Sequence, residues 1–73
     1  MNKAQMDEFY HALDHAVGKV CSVNDEFFFL KFEPEFQTDD GRDFQLFLKE
    51  AVRDVAMARM SLRNIRDKMK KEN

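Results

Sequence analysis

The sequence predicts an all-α fold: a helical hairpin forming one small domain over residues 1–73, assembled with a second copy into a dimeric four-helix bundle. Three observations carry that expectation. Apolar residues recur at alternating spacings of three and four along two long stretches. Breakers are few: two glycines, Gly18 and Gly41, and one proline, Pro34. The two halves also carry opposite charge, residues 1–43 holding ten acidic and four basic side chains (net −6) and residues 44–73 holding four and eight (net +4). Folding one half against the other brings the opposite signs together.

A first amphipathic helix is expected over about residues 3–22, because Met6, Phe9, Leu13, Ala16, Val20 and Val23 follow the three-four spacing. Gly18 is its weak point, since glycine costs up to about 1 kcal/mol in a helix interior. The spacing continues through Phe27 and Leu30, which permits one helix running to Glu33. Against this, Ser22, Val23, Asn24 and Asp25 are poor helix formers, and Ser22 or Asn24 is placed to cap a fresh start. A break or kink is therefore expected there.

An aromatic connector follows, over about residues 24–38. Phe27, Phe28, Phe29, Leu30 and Phe32 would surround a helix with apolar groups, whereas the stretch from Leu30 to Phe36 alternates as a strand would. A lone strand leaves its backbone groups unpaired, so a short helix or an irregular aromatic plug is the reading adopted. Pro34 disfavours helix at Glu33. Thr38, Asp39, Asp40 and Gly41 read as a turn capping the next helix, with Asp39, Asp40 and Asp43 near its positive end.

The second helix is expected over about residues 42–71. Phe44, Leu48, Ala51, Val55, Ala58, Leu62, Ile65 and Met69 form its unbroken seam. A helix of about 26 residues is roughly 39 Å long, more than a compact chain of this size covers, so the seam requires another helix. With Phe9, Leu13 and Val20 of the first helix, these residues are the expected self-association surface. Leu46, Met57 and Met60 fall behind the seam. Together with Phe28 and Phe32 they are the expected surface for another protein, methionine being adaptable in such contacts; cover by the connector or a second protomer is the plainer alternative.

Composition limits function. The single cysteine, Cys21, closes no internal disulfide, and no apolar run of membrane-spanning length or secretory signal is present, so a cytoplasmic location is expected, with no membrane role. At 73 residues a lone core is marginal, and self-association is the supplement left open. No nucleophile, base and orienting group fall in a recognisable arrangement, and two isolated glycines build no phosphate-cradling loop. Glu8, His11 and Glu50 resemble a di-metal bundle inventory but occupy outward heptad positions, and His11 with His15 supplies two ligands without a third. Neither catalysis nor a cofactor or metal is expected.

What remains is a small non-enzymatic adaptor or regulator, of the kind bacteria and phages encode, that self-associates and binds another protein. The alternative is a nucleic-acid-binding regulator using the basic ridge Arg59, Arg63, Arg66 and Lys70, or a protein whose N-terminal carboxylates act as an acidic decoy of nucleic acid.

Overall fold

The computed structural model describes residues 1–72, with side chains through Met69. Helix α1 spans Lys3–Leu30, a single 3-10 turn spans Pro34–Phe36, and helix α2 spans Asp39–Glu72. The two helices lie antiparallel in a rod of 55 × 15 × 14 Å. No helix among the described residues is long and apolar enough to cross a membrane.

Helix α1 starts at a reciprocal cap: the Gln5 backbone N–H donates to Asn2 Oδ1 at 2.8 Å, and the Asn2 backbone N–H donates to Gln5 Oε1 at 2.9 Å. Two orphan donors are satisfied at once. The helix does not break at Ser22–Asp25 but continues for 28 residues to Leu30. The weak propensities of Ser22, Val23, Asn24 and Asp25 cost about 2 kcal/mol together, which burying Phe27, at about 1.5–3 kcal/mol, offsets. Pro34 is what ends it. Glu33, in front of the proline, is extended at φ −66° and ψ 147°, so the connector shrinks to a tight turn and most of its phenylalanines belong to α1.

Helix α2 begins at Asp39, earlier than the spacing alone places it. Thr38 is its cap, accepting the Gly41 backbone N–H on Oγ1 at 3.0 Å. Gly41 thus sits in the first helical turn rather than before it. It is buried because the Phe36 carbonyl crosses over it, occupying the place a Cβ would take. That crossing seats the tip of the hairpin, where Phe27 meets Phe36 edge-on at 5.0 Å and Phe44 edge-on at 5.1 Å between ring centroids.

Among the described residues only Met6, Val17, Phe27 and Leu62 are buried hydrophobic side chains, none of them completely. The radius of gyration is 16.5 Å, against about 11 Å for a compact domain of this length. The surface is 5843 Å², where a compact monomer of this mass exposes about 4,700 Å². The hairpin is a secondary structure with half a core.

Gly18 has open space around it, with nothing within 4 Å of where a Cβ would stand. Gly18→Ala is therefore expected to raise stability in urea denaturation by up to about 1 kcal/mol. A loss of stability instead would mean that another chain closes on that position.

Candidate functional site

The heptad frame divides each helix into three columns. With Met6 at position a, the a column of α1 is Met6, Leu13, Val20 and Phe27, all buried or half-buried. In α2 the a column is Leu48, Val55, Leu62 and Met69, likewise covered. The neighbouring inward column on each helix is e and not d. Tyr10 and Val17 serve on α1, and Val52, Arg59 and Arg66 on α2, each half-buried or better. An a/e seam joins the hairpin.

The d columns are left outside. On α1 this column is Phe9, Ala16, Val23 and Leu30, all exposed, Phe9 by 54% and Leu30 by 46%. On α2 it is Phe44, Ala51, Ala58 and Ile65, of which only Ala51 is half-covered and Ile65 is 50% exposed. Phe47 extends the same flank of α2. Both d columns stand about a quarter-turn from the seam in the same rotational sense. Because the helices run antiparallel, they line the same side of the rod. Contact between Phe27, next to this flank on α1, and Phe44 ties the two columns at the tip.

The opposite side is charged. Arg59 donates to Asp14 at 2.8 Å, and Arg66 lies 4.0 Å from Asp7 with its guanidinium 4.0 Å over the Tyr10 ring. These cross-helix contacts realise the attraction between the acidic and basic halves. They also fix the register, setting Phe9 level with Ile65, Ala16 with Ala58, Val23 with Ala51 and Leu30 with Phe44. A cleft of about 200 Å³ on this side is lined by Tyr10, Ala56, Arg59, Met60 and Arg63. Two of the ridge arginines thus hold the hairpin together, while among the described residues Arg63 enters no ion pair. The side chain of Lys70 lies outside the described residues.

The residues expected to meet another protein fall in two places. Leu46, Met57 and Met60 are exposed on the back of α2, Leu46 standing about 16 Å along the helix from Met57. Phe28 and Phe32 are at the tip, where the Lys31 ammonium stands 4.6 Å from the Phe28 ring and 5.2 Å from the Phe32 ring. Phe29 joins them at 78% exposure. The tip is therefore an aromatic cluster beside the carboxylates Asp25, Glu26, Glu33 and Glu35.

His11 and His15 are exposed, His11 set edge-on to Tyr10 at 6.1 Å. Cys21 is a half-buried free thiol. Among the described residues no group of three or more His, Cys, Asp or Glu side chains converges as metal ligands would. The spacing alone does not separate the d columns from the rest of the seam, and the expected surfaces left out Phe29, Leu30 and Phe47. The signal was available in the seven-residue step from Phe9 to Ala16, Val23 and Leu30. No protein-family model, curated protein or solved structure matches this chain.

Proposed function

We propose that the chain is a non-enzymatic helical adaptor or regulator: it self-associates into a four-helix bundle and binds another protein through the apolar groups the bundle leaves outside. One observation carries this reading. Large apolar side chains stand in ordered columns on the outside of the hairpin instead of singly, as on an ordinary surface. A bundle helix has three apolar positions per heptad, and the hairpin covers only two of them. The third asks for another helix layer, and the back of α2 and the aromatic tip remain after it is supplied.

The nucleic-acid alternative has less support. Arg59 and Arg66 are paired with Asp14 and Asp7, so a phosphate track would have to break the contacts that close the hairpin.

Partner binding is tested by affinity capture from the source cell with three chains: wild type, Met57→Ser/Met60→Ser, and Phe29→Ser/Phe32→Ser. All four side chains are half or more exposed, so these substitutions are expected to leave the fold within about 0.5 kcal/mol of wild type. A captured protein lost with one variant and kept with the other assigns its surface. Identical capture by all three chains contradicts the proposal.

A further inference from the structure

Resting on the self-association reading, we infer that the side formed by the two d columns is covered by a second copy of this chain, the hairpins packing d-face to d-face with their ion-paired sides turned outward. Area is the first argument. The chain exposes 5843 Å², about 1,100 Å² beyond a compact monomer of its mass, and a stable dimer of standard size removes about 800 Å² from each partner. One such contact accounts for most of the excess.

Self-complementarity is the second. Both d columns step by seven residues, in opposite directions along the rod, so a hairpin related by a two-fold axis presents the same columns at the same step. A patch that reads alike on both copies is what an isologous interface needs. The columns contain no charged residue, whereas the opposite side holds Asp7, Asp14, Arg59 and Arg66. Only one side of the rod can be buried without stranding ions.

Side-chain size is the third. The middle layers hold Ala16 with Ala58 and Val23 with Ala51, and the end layers hold Phe9 with Ile65 and Leu30 with Phe44. Small residues midway let helices of the two copies approach closely, while the larger side chains fill the ends. Each helix then buries its a, d and e positions, the set of a four-helix bundle.

Alanine positions give a clean test, because they are exposed in the lone hairpin. Ala16→Glu, Ala58→Glu and the control Ala56→Glu are compared with wild type by sedimentation equilibrium, with helicity followed by circular dichroism. Ala56 is also exposed but lies on the ion-paired side. Wild type and Ala56→Glu are expected to sediment at twice the chain mass. Ala16→Glu and Ala58→Glu are expected to weaken the dimer about 100-fold or more, since each buries an unpaired carboxylate in both copies. If the separated chains also lose helicity, that supports the inference, because a carboxylate facing water would not unfold the hairpin. Dimerisation of Ala58→Glu as strong as wild type overturns the chosen face while self-association stands. Equal loss with Ala56→Glu overturns it too, and a monomeric wild type overturns the self-association reading itself.

Discussion

Phe27→Ala is expected to cost about 3–5 kcal/mol, against a total stability of roughly 4–11 kcal/mol for a domain of this length. Most of the fold should go with it. Phe27 is among the few buried side chains, at 7% exposure, and its ring is edge-on to both Phe36 and Phe44. Truncation removes the ring that joins α1 to Phe36 of the turn and Phe44 of α2. It also removes the burial that holds Ser22–Asp25 helical, so α1 should fray from Ser22 onward. Urea denaturation followed by circular dichroism checks the first effect, and backbone hydrogen exchange at residues 22–30 checks the second. Retention of wild-type stability would mean that the aromatic tip is ornamental.

Leu62→Asp is expected to be comparably severe, at about 4 kcal/mol. Leu62 is 9% exposed at position a of α2, facing α1 inside the hairpin. Its neighbours one turn away, Arg59 and Arg66, already have Asp14 and Asp7, so a new carboxylate gains little compensation. The variant should lose helicity at every concentration, measured by circular dichroism upon dilution. This separates the two interfaces of α2: a charge at Leu62 strikes the hairpin directly, and a charge at Ala58 reaches it only through loss of the second copy.

Much of the helical framework was legible because its signals are local. The three-four spacing, the charge division and Pro34 place two antiparallel helices and the turn between them. The end of α1 was not legible, since Ser22, Val23, Asn24 and Asp25 read as a break on propensity, and what overrides them is contact between Phe27 and two rings from later in the chain. Propensity is a property of a segment, and burial is a property of the fold.

The choice of inward columns was hidden for a related reason. An apolar a/d pattern fits a seam, and nothing in the spacing shows that Tyr10, Arg59 and Arg66 will turn inward at e. They do so because a guanidinium can stack on a phenol and pair with a carboxylate while its stem covers apolar surface. That frees the d columns. Apolar pattern alone cannot distinguish a column used within the hairpin from one kept for a second hairpin.

Sedimentation equilibrium of the unmodified chain at micromolar concentration decides whether the hairpin pairs with a second copy. A dimer, at twice the 8.7 kDa chain mass, is the expected result. A stable, folded species of 8.7 kDa across that range would contradict it.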